Sequence, residues 1–316
     1  MDGTTIPIVI LGGSDRRPVA LPESGRGAHP LSGFKAVDVR IEGRPLILVV
    51  VERVRAAGEF GPVYLVGPAR AYDCVRELVT LVDADGSFGQ NVRTGFDTVR
   101  AAHPGRPVAF LTCDVLPEVE TLRRLIGDYR RAAPCDLWFP LIAQPADLDL
   151  LGASAWKPAY RLVPEPGRPP VRVLPGHLAV ADPEALRRSF IYRLFDLAYR
   201  TRNRPIHDRR TVMVRGIVLA LLYQDLLHLC SLRMPSLTWS VLWSGISAAR
   251  GVRAGRTTRS ELEDAARRIL VNHRHRRRHP QRRVLLPIVD ALSLALDIDT
   301  EEEARAAGGD VVPRSA

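Results

Sequence analysis

Short apolar runs alternate with amphipathic stretches through the first half of the chain, and this alternation limits the fold more than any other feature. The apolar runs have the length of buried strands, which are predicted at Ile6–Leu11, Val63–Val66, Val108–Thr112 and Leu137–Ile142. The stretches between them repeat apolar residues with a helical period, which predicts helices at Pro45–Ala57, Asn91–Ala102 and Val119–Ala132. Strands separated by helices indicate parallel βαβ units.

The predicted fold class is therefore α/β, with a doubly wound, mostly parallel sheet flanked by helices. One segment is ambiguous, because Tyr72–Leu81 favours a helix whereas Val79–Val82, which overlaps its end, also fits a strand. In a doubly wound sheet, ligands bind beyond the carboxyl ends of the strands. Gly12-Gly13 and Asp114 both follow directly after predicted strands.

The second half of the chain is less regular. Short strands are predicted within Lys157–Val163, Val171–Leu174 and Leu178–Val180, and a helix from Pro183 to Tyr199 with Asp182 as its N-cap. Residues 211–270 are mostly helical in pattern, and Glu301 begins a short acidic helix. We expect a core domain of residues 1–200 and 284–307, a basic helical insertion of residues 201–283, and a flexible tail of residues 308–316.

Charge and cysteine content restrict the function classes. The formal net charge of +10 suits a phosphorylated substrate, a nucleic acid or an anionic membrane surface. The basic run of residues 272–283 is typical of a solvated, flexible face, and it lacks the interleaved aromatic residues of nucleic-acid binders. The four cysteines have no CxxC spacing and no signal peptide precedes them, which favours reduced thiols in a cytoplasmic protein.

One long apolar stretch, Thr211–Leu232, raises the question of a membrane. Arg215, Gln224, Asp225 and His228 interrupt it, whereas a spanning helix needs about 20 nearly continuous apolar residues. A buried helix is the favoured interpretation. A peripheral membrane contact or a helix in a homo-oligomer interface are the alternatives.

The loop after the first predicted strand has the parts of a phosphate site. Leu11-Gly12-Gly13-Ser14 lets a phosphate approach backbone N–H donors. Arg16, Arg17 and the isolated Lys35 would add positive charge against a polyphosphate. A glycine pair alone ends many strands, so this loop gains meaning only from the rest of the site.

Three further segments complete a set of motifs, namely Gly89–Phe96, Thr112–Pro117 and Asp297–Thr300. Together with Gly12-Gly13, Lys35 and Gly43-Arg44-Pro45-Leu46, their order resembles the nucleotidyltransferases of the GT-A-like α/β class. That class includes molybdenum-cofactor guanylyltransferases and methylerythritol-phosphate cytidylyltransferases. Gln90–Phe96 is similar to a segment that lies near the base in the family, and Asp297-Ile298-Asp299-Thr300 resembles a closing motif of several members.

The resemblance implies an Mg²⁺-dependent enzyme that transfers NMP from an NTP to a phosphorylated sugar or polyol, with release of pyrophosphate. It implies nucleotide contacts at Leu11, Gly12, Gly13, Ser14, Asn91 and Gly95. Lys35, Arg16 and Arg17 would stabilise charge on the phosphates, and Asp114, Asp297 and Asp299 would hold the metal ion. Mg²⁺ prefers such carboxylates together with phosphate oxygens and waters.

The chain departs from the family pattern in two places. The loop between Gly13 and Lys35 is long and proline-rich, and Lys35 follows Phe34 rather than proline. Residues 200–283 have no counterpart in the minimal fold. A GT-A glycosyltransferase that uses a nucleotide sugar, or a catalytically degenerate nucleotide-binding module, therefore remains as an alternative.

Simpler structural roles also stand beside these site assignments. Asp114, Asn91 and Asp299 are placed where each could cap a helix. Lys35 could be an ordinary loop lysine. His177 lies where related enzymes approach the acceptor, but it equally suits a structural turn.

Overall fold

A computed structural model describes residues 5–14, 19, 21, 27–201, 218–219, 221–223, 225–226, 243 and 256–311. Arg16, Arg17 and most of the predicted insertion lie outside the described residues. Among the residues described, no helix is both long and apolar enough to cross a membrane. Cys74, Cys113 and Cys135 are free thiols, of which Cys113 and Cys135 are buried and Cys74 is exposed.

A seven-stranded sheet forms the centre of the fold, in the order β12-β7-β11-β6-β1-β4-β5. β1 pairs in parallel with β4 and β6, β4 with β5, and β7 with β12, whereas β11 runs antiparallel to both its neighbours. The strands are β1 (Ile6–Leu11), β4 (Phe60–Gly67), β5 (Thr80–Asp83), β6 (Val108–Thr112), β7 (Leu137–Trp138), β11 (Leu178–Ala181) and β12 (Val284–Leu285). The predicted mostly parallel α/β sheet is confirmed.

Two smaller sheets extend this core. One has the order β13-β8-β10-β9 and the other the order β14-β2-β3. Their strands are β2 (Val39–Ile41), β3 (Arg44–Pro45), β8 (Leu141–Ala143), β9 (Tyr160–Leu162), β10 (Val171–Pro175), β13 (Ile288–Val289) and β14 (Gly309–Val311). β14 overturns part of the expected flexible tail, because Gly309 and Val311 pair with β2 in an antiparallel ladder.

Eight α-helices are described, together with several short 3₁₀ turns. They are α1 (Lys35–Asp38), α2 (Leu46–Ala57), α3 (Phe88–Ala102), α4 (Val119–Ala132), α5 (Arg188–Thr201), α6 (Arg259–Leu270), α7 (His273–Arg278) and α8 (Glu301–Ala306). Capping boxes start three of them, at Ser87 with Gln90, Thr258 with Glu261, and Thr300 with Glu303. Each box satisfies N–H groups that the first helical turn leaves without partners.

The hydrophobic core lies where the helices cover the sheet. β1 is almost fully buried, with Ile8, Val9 and Ile10 at 0% exposure. Gly95 brings α3 close to this sheet, because a Cβ there would lie 2.5 Å from a Val66 methyl group. The absence of a side chain at Gly95 is therefore explained by helix–sheet packing.

Several elements differ from the sequence expectations. The predicted strand Leu137–Ile142 divides into β7 and β8, because Pro140 cannot donate to a ladder and the chain changes sheets there. Tyr72–Leu81 is not an α-helix, since it holds one 3₁₀ turn, Asp73–Val75, and the start of β5. The alternative of a strand at Val79–Val82 is confirmed by β5 (Thr80–Asp83). Most of the helix expected at Thr211–Leu232 lies outside the described residues. Of those described, Leu221 and Asp225 are buried, whereas Leu219, Leu222, Tyr223 and Leu226 are exposed.

The helix predicted from Pro183 begins only at Arg188. Asp182 accepts a bond from the Glu184 N–H within a turn, and the backbone of 185–187 then pairs with that of 270–272. This pairing between distant segments keeps residues 185–187 extended. The basic run is also more ordered than expected, since α7 lies within it and His275 reaches the buried Asp136.

Candidate active site

Three carboxylates meet beyond the carboxyl end of β6. Asp114 follows β6, and a segment from near the C-terminus crosses it, with a bridge between Val115 and Asp297 and a 2.8 Å bond from the Ile298 N–H to the Asp114 carbonyl. Asp299 is held from the other side, because its carbonyl accepts the Leu31 N–H at 2.8 Å. Backbone pairing therefore brings together residues that are far apart in the sequence.

The carboxylates of Asp114, Asp297 and Asp299 form a compact acidic triad. One oxygen from each lies within 4.8 Å of the others. Their side chains are 19%, 19% and 12% exposed. Within the described part of the chain, Asp114 Oδ1 is buried and has no hydrogen-bond partner. A buried carboxylate oxygen without a partner is costly unless a cation or a donor completes it.

Lys35 and Lys157 are the only two lysines of the chain, and both contact this triad. Lys35 Nζ lies 2.5 Å from Asp299 Oδ1 and 3.5 Å from Asp114 Oδ2. Lys157 Nζ lies 2.5 Å from Asp297 Oδ1 and also bonds the Asp297 carbonyl. The lysines are 7% and 9% exposed. Lys35, expected on the phosphates, is thus placed against carboxylates.

Glu303 ties the triad to the following helix. Its Oε2 accepts the N–H groups of Asp299 and Thr300 at 2.7 and 3.0 Å. Its Oε1 accepts the Ser154 hydroxyl at 2.6 Å and lies 3.1 Å from Lys157 Nζ. The predicted capping role of this segment is confirmed at Thr300, which caps α8, while the Asp299 side chain faces Lys35.

Charge in the site does not balance. Four carboxylates surround two ammonium groups, so ionisation of all four leaves an excess of negative charge. Burial raises the pKa of Asp297, and Asp299 raises it further against the opposing effects of His177 and Lys157. Burial lowers the pKa of Lys157, but Asp297 and Glu303 outweigh burial and the net pKa is raised. Lys157 therefore stays charged, and among the residues that the structure describes the carboxylates of the site outnumber its cations.

His177 borders the triad from β11. Its Nδ1 lies 2.9 Å from the Thr112 hydroxyl, and its Nε2 lies 3.6 Å from Asp297 Oδ1. Its backbone N–H donates to Leu294. The ring is therefore fixed at the end of β6, beside the acidic triad, by contacts that a simple turn would not need.

The glycine loop lies after the neighbouring strand β1. The Gly12 N–H already donates to the Val66 carbonyl at 2.7 Å, and the Leu11 carbonyl accepts the Cys113 N–H at 3.3 Å. Gly12 has no room for a side chain, because a Cβ would lie 2.8 Å from the Tyr72 ring. Gly13 is more open, and the Ser14 carbonyl accepts the Tyr199 hydroxyl at 3.2 Å. Gly13 and Ser14 are thus the better placed to meet a ligand.

Asn91 lies buried on α3 beside this loop. Its Oδ1 accepts the Gly86 N–H at 3.1 Å, and its Nδ2 lies 3.8 Å from the position of a Cβ on Gly13. Ser87, rather than Asn91, caps α3. The capping alternative for Asn91 is therefore wrong, and its side chain instead bridges α3 and the loop before it.

Sequence reasoning missed Lys157, Glu303 and Ser154. Composition could have indicated Lys157, because only two of the 45 lysine and arginine residues are lysines. Arg16 and Arg17 lie outside the described residues.

Comparison with known proteins supports the fold. No family model matches the sequence, and no curated protein is significantly similar to it. A hypothetical transferase from Thermus thermophilus is 18% identical, with 95% of this chain and 100% of that chain covered and a TM-score of 0.56.

Two further solved structures align less closely. A 4-diphosphocytidyl-2C-methyl-D-erythritol synthase from Anaerococcus prevotii is 10% identical, with 97% and 98% of the chains covered and a TM-score of 0.42. A CMP:2-keto-3-deoxy-manno-octonic acid synthetase complexed with CTP is 12% identical, with 57% and 74% covered and a TM-score of 0.40. At these identities, the likeness concerns the fold. The alignment with the Thermus thermophilus structure agrees with the predicted α/β fold class, which the sheet order already shows.

Proposed function

We propose that this protein is a nucleotidyltransferase that moves NMP from an NTP to a phosphorylated small molecule. An oxygen of the acceptor phosphate attacks the α-phosphorus, the bond from that phosphorus to the bridging oxygen of the β-phosphate breaks, and pyrophosphate leaves with the bonding electrons. A sugar or polyol phosphate is the acceptor class we favour. Such reactions depend on positioning and charge stabilisation more than on covalent chemistry by the protein.

The acidic triad carries this proposal. Asp114, Asp297 and Asp299 converge at the end of the sheet where ligands of doubly wound folds bind. The glycine loop leaves the adjacent parallel strand, so both features open toward the same edge. A merely structural acidic cluster would not explain an unpartnered, buried Asp114 oxygen beside two lysines.

The donors fit a magnesium ion. Three carboxylates supply the hard oxygen ligands that Mg²⁺ prefers, and the Asp114 Oδ1 lacks a partner of its own. A divalent ion would also supply the positive charge that four carboxylates and two lysines lack. When bound, Mg²⁺ would contribute charge neutralisation at the phosphates of the NTP.

The protein groups have separable roles in this proposal. Lys35 holds Asp299 and Asp114, and it adds positive charge at the edge facing the triphosphate. Lys157 holds Asp297 in place. Gly13 and Ser14 line the triphosphate site, Leu11 and Gly12 form its floor, and Asn91 lies on the side of the base. Gly95 is buried against the sheet and lets α3 approach it, so the contact with the nucleotide expected at Gly95 is replaced by a packing role. Arg16 and Arg17 keep their proposed role on the phosphates.

Pyrophosphate release tests the proposal. The full chain is incubated with Mg²⁺, each of the four NTPs and a panel of sugar and polyol phosphates. Release that needs both the NTP and an acceptor, and that EDTA abolishes, supports the proposal. Binding of a nucleotide sugar without release from any NTP would instead favour a GT-A glycosyltransferase. Nucleotide binding with no turnover would indicate a degenerate module.

The partners follow from the reaction, namely an NTP and a phosphorylated acceptor. A homo-oligomer, a peripheral membrane contact and a cytoplasmic location stay predictions from the sequence. Mass measurement in solution and vesicle sedimentation would test the first two.

A further inference from the structure

A second charged cluster lies at the opposite end of β6. Ala181 at the end of β11 pairs with Val108 at the start of β6, and the chain then continues through Asp182 to Arg187. Asp114 follows the other end of the same strand. Since a strand rises about 3.3 Å per residue, the length of β6 alone separates the two clusters by about 13 Å. This second cluster is therefore distinct from the acidic triad.

Two arginines of this cluster have N–H groups without partners. Arg187 precedes α5, and Arg276 lies on α7. Arg187 Nη1 and Arg276 Nε are buried and have no hydrogen-bond acceptor in the described part of the chain. Among the residues that the structure describes, neither guanidinium forms an ion pair with a carboxylate. A guanidinium always keeps its charge in a protein, so it cannot relieve such burial by losing a proton.

Backbone pairing fixes the two arginines in the same region. The Arg187 N–H donates to the Leu270 carbonyl at 2.8 Å, and the Asn272 N–H donates to the Ala185 carbonyl at 2.8 Å. Asn272 then caps α7, which carries Arg276 on its first turns. Burial, followed by the charge of Arg276, lowers the pKa of Arg187 to about 10, which places the two cations within electrostatic reach of each other.

The nearby carboxylates are already in use. Asp136 is 0% exposed and lies with Oδ2 2.9 Å from Arg267 Nε and with Oδ1 3.1 Å from His275 Nε2. Asp182 accepts the Glu184 N–H and pairs with Arg282. Further positive charge surrounds the pair, since Arg267 and Arg268 lower the pKa of Arg276 in addition to its burial. The cluster thus has a surplus of positive charge and free N–H groups.

We propose that Arg187 and Arg276 bind a tetrahedral oxyanion, either inorganic phosphate or the phosphate group of a small molecule. A phosphate dianion matches the charge of two guanidinium groups. Its several oxygens accept N–H groups that arrive from two directions, which a planar carboxylate does less well. The bound anion satisfies Arg187 Nη1 and Arg276 Nε and removes the repulsion between the two side chains.

Thermal unfolding of the full chain tests this site. Sodium phosphate is compared with sodium chloride at equal ionic strength, in EDTA so that no metal links phosphate to the acidic triad. Phosphate raises the Tm of the wild type, because a ligand that binds only the folded state stabilises it. R276Q loses this response, and titration calorimetry shows phosphate binding weaker by about tenfold or more, as expected for the loss of a charge-assisted hydrogen bond.

The control is R277Q, which removes the same charge from an exposed neighbour on α7. It keeps the phosphate response. In chloride alone, R276Q is at least as stable as the wild type, since it removes a repelling and unpaired cation. R276Q is thus expected to equal or exceed the stability of the wild type in chloride, but to lack the stabilisation by phosphate. This test needs only R276Q. The variant R187Q, if it folds, gives an independent second test of the same site.

Three results would overturn the proposal. One is a wild type whose Tm is the same in phosphate and chloride. Another is R276Q that responds to phosphate like R277Q. The third is a response that D114N loses but R276Q keeps, which would locate the anion at the acidic triad. Acetate in place of phosphate gives no stabilisation, and equal stabilisation by acetate would rule out a tetrahedral site. A second titration compares the affinities of inorganic phosphate and of a sugar phosphate. It shows whether the site takes the free ion or the phosphate group of a small molecule.

Discussion

At the carboxyl end of β6, four acidic side chains surround two lysines, whereas at its amino end arginines outnumber two aspartates, Asp136 and Asp182. The two clusters have opposite surpluses of charge. Asp136 is fully buried and saturated by Arg267 and His275, but the triad is partly exposed and leaves an Asp114 oxygen without a partner. A buried charge whose partners are complete, such as Asp136, therefore serves structure, whereas incomplete pairing, as at Asp114, indicates a ligand.

The largest effect is expected at Asp114. D114N should reduce pyrophosphate release by about a thousandfold or more, because loss of a metal ligand costs several kcal/mol in the transition state. Its stability should change little, because Asp114 Oδ1 has no described partner to lose and Lys35, 3.5 Å from Oδ2, keeps its shorter contact with Asp299. Initial rates of pyrophosphate release measure the effect. D128N, in an i,i+3 pair with Arg131 on α4, is the matched control. Activity within tenfold of the wild type would remove Asp114 from the site.

Asp136 should matter for stability rather than for catalysis. D136N leaves Arg267 and His275 without their buried anion, and loss of one partner of a buried pair costs about 3–5 kcal/mol of unfolding free energy. Urea denaturation measures it. D73N, in an exposed pair with Arg76, should change stability by less than about 0.5 kcal/mol. Equal effects of the two substitutions would contradict the proposed distinction between the clusters.

A smaller loss is expected at Lys157, because its partner Asp297 is partly exposed whereas Asp136 is fully buried. K157Q removes ammonium bonds to Asp297 and Glu303, which should cost about 2–3 kcal/mol. Mg²⁺ should restore part of this stability, because both cations neutralise the same carboxylates. The control R44Q, which removes an exposed pair with Glu52, should neither lower the stability measurably nor alter its response to Mg²⁺. Destabilisation of K157Q that is independent of Mg²⁺ would separate Lys157 from the metal site.

The smallest effect concerns His29, which lies on the surface beside α8. Its Nδ1 lies 2.7 Å from Glu302 Oε1, and this bond raises the pKa of His29 above 6.5 and lowers that of Glu302 to about 2. The pair therefore stabilises fully between the ordinary pKa values, 4.5 and 6.5, of the two groups. This stabilisation is lost as the pH rises through the raised pKa of His29, or falls toward that of Glu302.

The difference in Tm between the wild type and H29Q should accordingly be larger at pH 5.5 than at pH 9. E302Q should remove the same pH dependence, and the double variant should add nothing to it. A difference in Tm that grows toward pH 9 would show that the sign is wrong.

Local pattern predicted much of this molecule. β1 and β6 follow from uninterrupted apolar runs, and α3 and α4 from helical spacing. The triad was predicted from motifs, although its convergence depends on pairing between residues 114–115 and 297–298. The predictions that failed concern residues whose conformation depends on partners far away in the sequence. Residues 185–187 are extended because residues 270–272 pair with them, and nothing near Pro183 carries that information.

The same reason explains the residues that were missed. Lys157 and Ser154 belong to an irregular segment whose meeting with Glu303 is decided only by tertiary packing. Lys35 was identified as important, but its carboxylate partners lie 79 and 264 residues away. The order of motifs along the chain predicted which side chains belong to the site. Their contacts with one another could be identified only from the folded structure.

The location of both lysines has a practical consequence for chemical labelling. A reagent that acylates lysine amines finds its two lysine targets in a single site, since every other basic side chain except histidine is arginine. In the free protein both amines are less than one-tenth exposed and held by carboxylates, so they should react slowly. A ligand that competes for those carboxylates would change the labelling rate. Mass spectrometry of two peptides could then follow occupancy of the site without any knowledge of the substrate.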